Sequence, residues 1–282
     1  MKKQIIFVFF VVVLLVVVFF AFSRNKSIGG LAASDVGDFK EDKKFDISKV
    51  VFKSEDGKDV YALFFKPSQP KGEKFNVVIV LPGAEGTKES RSYYGEMLAW
   101  MGYGAFILDQ RGIGETGGVV AGLQEDFQKF LKGKEGDQFL MVKDVLSGVD
   151  FLDGIAEVDE ISVLGESMGA RYGIIAAALD ERIKAVIVIS SAGFLESLGS
   201  DMVDNYLAYI NPNTYIGMIS PRRILMLHVV NDSVIPIEHA RYTFSLANEP
   251  KEFVEFDEEE CNHGYCEPMR IFIEKELGDE LD

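Results

Sequence analysis

Apolar residues fill short stretches of this chain almost without a break: Val77–Leu81, Ala105–Leu108, Ile161–Leu164, Ala185–Ile189 and Ile224–Val230. A strand with one wet face alternates, so runs this continuous predict strands buried on both faces. The segments between them carry helical spacing. Ser90 to Trp100 places Tyr94, Met97 and Leu98 on one face, and similar patterns cover Phe139 to Leu152, Tyr172 to Leu179, Ile237 to Leu246 and Pro268 to Leu277. Leu123, Phe127, Phe130 and Leu131 mark a short amphipathic insertion. Two runs, Ile47–Phe52 and Val60–Phe65, flank Asp56-Gly57 and predict an antiparallel hairpin at a sheet edge, and Phe253–Phe256 supplies a last strand. Strands alternating with helices, joined by right-handed crossovers, give an α/β fold: a mostly parallel central sheet with helices on both faces.

The N-terminus follows another pattern. Met1-Lys2-Lys3-Gln4 precedes an unbroken apolar run, Ile5 to Phe22. As a helix it is about 27 Å long, against a hydrocarbon core of about 30 Å. It reads as a transmembrane anchor, with a cleaved signal segment as the alternative. The amino group, Lys2 and Lys3 outweigh Arg24 and Lys26 slightly, which points the N-terminus inward and the rest of the chain out of the cytoplasm. The expected organisation is an anchor or signal over 1–22, a flexible tether over 23–45, and one folded domain over 46–282.

Composition narrows the partners. The 282 residues are 48% hydrophobic, enough for one large core, and carry a formal charge of −16. That charge repels phosphate backbones, so nucleic acid is not an expected partner.

The chemistry concentrates at Gly165-Glu166-Ser167-Met168-Gly169. A strand precedes this pattern and a helix follows it, so the serine stands on a sharp strand-to-helix turn with its hydroxyl exposed. Gly165 and Gly169 lie where a side chain would clash. The plainer alternative is a Gly-rich turn whose serine caps the helix.

With these residues in place, the chain resembles the α/β-hydrolase family over about residues 46–280. Three parts in chain order carry the resemblance: the Gly-x-Ser-x-Gly elbow at Ser167; Asp232, followed by Ile235 and Pro236 after a strand; and His263 in the loop after the last strand. The family pattern has a glycine where this chain has Val229. The resemblance implies a catalytic triad of Ser167, His263 and Asp232. It also implies an oxyanion hole from the backbone N–H groups of Met168 and Ala84, and no cofactor or metal. The other histidines fit less well: His228 lies inside a strand and His239 on a helix. Asp109-x-Arg111-Gly112-x-Gly114 is similar to a family segment and reads as a structural turn tied by an Asp109–Arg111 contact. A phosphate-binding loop is excluded, since its lysine and spacing are missing. Phe194 to Pro221, with Leu198, Met202, Tyr206, Tyr209, Tyr215 and Met218, corresponds to the family's cap and is short; the same spacing also fits a core-packing helix.

The implied activity is a serine hydrolase acting on a small-molecule or peptide acyl substrate. A carboxylic-ester hydrolase is the first reading, because a short cap leaves the site open. A serine peptidase of the same fold is the second; a free-amine substrate would need a pair of acids, and Glu85 and Glu166 flank the site in sequence. A non-catalytic binding module tethered to the membrane is the third. The only two cysteines, Cys261 and Cys266, bracket His263. They either form a disulfide in an oxidising compartment or remain two buried thiols. Zinc at Cys261, His263 and Cys266 is disfavoured, since no second ligand pair exists.

Overall fold

The computed structural model of the chain describes residues 45–68, 73–194 and 200–278. The anchor at 1–22, nearly all of the tether, and Leu198 lie outside them. Among the described residues no helix is long and apolar enough to cross a membrane.

The predicted strands form one eight-stranded sheet: β1 (Phe45–Lys53), β2 (Asp59–Pro67), β3 (Phe75–Leu81), β4 (Gly104–Leu108), β5 (Val158–Glu166), β6 (Ile183–Ile189), β7 (Arg223–Val229) and β8 (Lys251–Phe256), in the order β1-β2-β4-β3-β5-β6-β7-β8. β1 and β2 are the expected edge hairpin, and β2 runs antiparallel to β4. From β4 onward every pairing is parallel.

The unbroken apolar runs are explained by helices on both faces. Val77, Ile79 and Leu81 of β3 turn toward α3 (Asp137–Asp153) and α4 (Met168–Leu179), where they pack with Val145, Val149, Ile174 and Ile175. Val78 and Val80 turn the other way, onto Tyr94 and Leu98 of α1 (Ser92–Trp100) and Ile273 of α8 (Arg270–Gly278). A polar residue at either set of positions would lose the roughly 1.5–3 kcal/mol that each buried aliphatic side chain contributes. The amphipathic insertion forms α2 (Leu123–Leu131). It packs its Phe127 with Val203, Tyr206 and Ile210 of α5 (Asp201–Ile210), a small cluster separate from the two that line the sheet. The segment expected as a cap or a core helix thus becomes α5, α6 (Pro212–Tyr215) and a short 3₁₀ turn, joined by α2.

Strand order sets the place of the site. From β3 the chain passes to β4 on one side, then crosses back to β5 on the other. The crevice at the carboxyl ends of β3 and β5 is therefore the switch point, where open α/β sheets bind ligands. Leu81 pairs with Gly165 there.

One expected contact is replaced. Arg111 does not tie the Gly-rich turn to Asp109; its guanidinium holds Asp144 at 2.7 Å and Asp56 at 2.7 Å. Asp109 is instead fully buried against Lys88, 2.7 Å away, and also accepts the N–H groups of Lys88 and Glu115. Burial opposes the Lys88 charge, yet Asp109, Glu115 and Glu89 together hold its pKa above the usual lysine value. The turn remains structural, with different partners.

Candidate active site

The elbow at the end of β5 is as tight as its two glycines imply. A Cβ at Gly165 would fall on the backbone of Ala170, and one at Gly169 on the carbonyls of Leu81 and Pro82. Ser167 itself has φ 52° and ψ −116°, a backbone state that costs a non-glycine residue on the order of 1–3 kcal/mol. Neighbours hold it there. Its N–H donates to the Ile189 carbonyl at 2.8 Å, and its carbonyl accepts the Ser191 hydroxyl at 2.7 Å.

The fold brings the three predicted residues into one line. Ser167 Oγ lies 2.9 Å from His263 Nε2. His263 Nδ1 lies 2.9 and 3.0 Å from the two oxygens of Asp232. Asp232 sits in the loop after β7 and also accepts the N–H groups of Val234 and Ile235, at 2.8 and 2.9 Å. Burial, the largest influence on this carboxyl, would raise its pKa, but the His263 contact and these backbone donors hold it below the usual value. An ionised Asp232 accepts from Nδ1–H, which leaves Nε2 as the acceptor for the serine proton. Val229, in place of the family's glycine, does not prevent this loop from delivering its acid.

Met168 is the first residue of α4, so its N–H has no partner within the helix. Ala84 is exposed at the centre of a turn closed by Gly86 N–H to the Gly83 carbonyl, 3.1 Å, with Glu85 at φ 64°. This turn lies beside the elbow: a Cβ on Gly83 would be 3.3 Å from Ser167 Cβ. Met168 thus follows the serine directly, and the turn that carries Ala84 packs against it through Gly83. Cys261 and Cys266 form a disulfide with Cα atoms 5.5 Å apart, closing the loop that carries His263, and no group of metal ligands is found among the described residues.

Several contacts around the site were not predicted. Glu166 is buried and bound by Arg91 through two hydrogen bonds, 2.8 and 3.0 Å, with the Tyr94 hydroxyl at 3.4 Å. Its carboxylate lies directly under the neighbouring loops. A Cβ on Gly264 would meet Glu166 Oε1 at 2.8 Å, and one on Gly83 at 3.6 Å. Glu166 is thus engaged within the protein, while Glu85 is exposed on the turn. His228 lies beneath Asp232, its Nε2 donating to the Ile235 carbonyl at 3.0 Å. Burial lowers its pKa. His239 remains on α7 (Ile237–Ser245), outside the serine–histidine–aspartate line.

Residues 72–216, just over half of the chain, match the family described as serine aminopeptidase, S33. The chain belongs to this family of α/β-hydrolases. Its relatives are distant. YfhR of Escherichia coli (strain K12), itself uncharacterised, is 26% identical over 219 residues, covering 73% of this chain and 70% of that protein. Among solved structures, an acetyl xylan esterase from Paenibacillus sp. R4 superposes with a TM-score of 0.69 at 20% identity, covering 85% of this α/β-hydrolase and 86% of the esterase. A Pyrococcus furiosus esterase gives a TM-score of 0.61 at 18% identity, covering 84% and 92%. At these identities the superpositions speak for the fold.

Proposed function

We propose that this α/β-hydrolase cleaves carboxylic esters through Ser167, His263 and Asp232 and an acyl-enzyme intermediate. The observation that carries the reading is the continuous hydrogen-bonded line from Ser167 Oγ through His263 to Asp232, 2.9 Å at each link. In the proposed reaction Ser167 Oγ attacks the acyl carbonyl carbon as His263 Nε2 takes its proton. The negative charge formed on the carbonyl oxygen is met by the N–H groups of Met168 and Ala84. His263 then protonates the departing alkoxide, and a water molecule repeats the sequence to release the acid. Asp232 fixes the imidazole tautomer and stabilises the imidazolium.

Two observations separate ester from peptide substrates. Glu166, one of the two acids available to a free amine, is already neutralised by Arg91, which favours the ester. The matching family's description as an aminopeptidase favours the peptide. Fluorophosphonate labelling of Ser167, with p-nitrophenyl acyl esters compared against aminoacyl anilides, tests the reading. Ser167→Ala and His263→Ala should each lower ester kcat by on the order of 10³ or more. Near-native ester turnover by Ser167→Ala would reject the nucleophile, and faster turnover of the anilides would replace esterase by peptidase. We further propose that Ile5–Phe22 tethers the enzyme to a membrane with its domain outside the cytoplasm; the Cys261–Cys266 disulfide fits an oxidising compartment.

A further inference from the structure

Among the described residues, one arginine beside the elbow faces no acid. Among the described residues, Arg91, Arg111, Arg182, Arg223, Arg241 and Arg270 each face a carboxylate within 3 Å. Arg222 is surrounded instead by the carbonyls of Ala177, Asp180, Ile183 and Ile219. Arg171 differs from all of them. Its Nε donates to the Ala192 carbonyl at 3.0 Å, and its guanidinium lies over the Phe194 ring, 4.8 Å from the centroid. A guanidinium has five N–H donors, and those beyond Nε find no acceptor among the described residues. The group is only partly exposed. Acids are not scarce: the chain has 45 Asp and Glu against 29 Lys and Arg.

Its position relates it to the reaction. Arg171 stands one helical turn beyond Ser167 on α4, a spacing of about 6 Å along the axis. The segment that anchors it, Ala192 to Phe194, continues from Ser191, whose hydroxyl holds the Ser167 carbonyl. Phe194 is itself fixed by Asn211, which accepts its N–H and donates to its carbonyl, 3.0 and 2.9 Å. These bonds fix the Phe194 backbone, and the guanidinium lies over its ring. A planar fork held by one edge, with its other donors unspent, matches the geometry that binds a carboxylate in two parallel hydrogen bonds.

We propose that Arg171 recognises a carboxylate on the substrate, so that the preferred ester is a monoester of a short dicarboxylic acid. The proposal rests on the ester-hydrolase reading and adds the charge of its substrate. A purely structural arginine, clamping Ala192 and Phe194, would give no such preference.

The test compares two p-nitrophenyl esters of equal acyl length, the pentanoate and the anionic hemiglutarate, at low ionic strength. A hydrogen-bonded charge contact predicts that kcat/KM favours the hemiglutarate by on the order of 10–100-fold. The preference should shrink with added salt. In Arg171→Gln the ratio should fall by the same factor, and Arg171→Lys should restore part of it. A wild-type ratio at or below one, or an unchanged ratio in Arg171→Gln, overturns the proposal. Failure of the ester reading is seen separately, as no fluorophosphonate labelling and no turnover of either ester. In that event glutarate binding by calorimetry decides: binding weakened at least 10-fold by Arg171→Gln supports anion recognition, and equal or undetectable binding in both proteins rejects it.

Discussion

Removing the Arg91 head group should damage both stability and turnover, because its partner is almost cut off from water. The Glu166 side chain is 7% exposed and that of Arg91 is 23% exposed. Breaking a buried ion pair by deleting one partner costs about 3–5 kcal/mol, since the other charge stays buried without compensation. Arg91 is partly open to solvent, which places Arg91→Met near the lower end, about 3 kcal/mol. For a domain of this size each kcal/mol lowers the melting temperature by about 2–4 °C, so a fall of about 6–12 °C is expected. The Tyr94 hydroxyl at 3.4 Å gives Glu166 only a neutral donor in place of the guanidinium. Turnover should fall too, because Glu166 lies under Gly83 and Gly264, in the loops that carry Ala84 and His263. A displacement of about 1 Å at a catalytic group can cost on the order of 10². The assay is urea denaturation and ester kinetics on Arg91→Met, Glu166→Met and the double variant. In the double variant no charge is stranded, so it should be more stable than the sum of the single losses implies, by about 2 kcal/mol. Additive losses, or an Arg91→Met protein within about 0.5 kcal/mol of wild type, would refute the reasoning.

Two other perturbations probe the surroundings of His263 and Asp232. Reducing the Cys261–Cys266 disulfide, or replacing both residues by serine, should lower kcat more than 10-fold through loss of His263 placement. The short loop it closes limits the global stability cost to about 2 kcal/mol; an unchanged kcat after complete reduction would remove the bond from the mechanism. His228 is buried with a pKa below its usual value, facing Asp232, His263 and Glu255. Its stabilising effect is complete above the unfolded-state pKa of about 6.5 and is lost as pH falls from there through the folded value, by at most about 1.4 kcal/mol per pH unit. His228→Gln should flatten the stability profile in that window, whereas the depressed Asp232 acts only below about pH 4; identical slopes in the two proteins would contradict the assignment.

What the sequence disclosed and what it withheld divide along a physical line. The strands were legible because burial on both faces writes a continuous run, as in Val77–Leu81, and the flanking helices repeat with their own period. The elbow was legible because a backbone requirement, no side chain at Gly165 or Gly169, is stated by the residue type itself. His263 was legible by scarcity, with only three histidines to choose from. The electrostatic wiring was not legible. Asp109 and Arg111 are neighbours in sequence, yet each is paired elsewhere, with Lys88 and with Asp144 and Asp56. Glu166 finds Arg91 across 75 positions. A buried ion pair has no period; it is set by which loops the sheet brings together, and Arg91 meets Glu166 only after the crossover from β4 to β5. The same reason makes Arg171 informative. Its residue type and spacing resemble those of any helical arginine, and only the folded chain separates it from six others that found an acid. A charge one turn from the elbow that meets no acid among the described residues is therefore the basis for proposing what arrives from outside, which no reading of local sequence could have supplied.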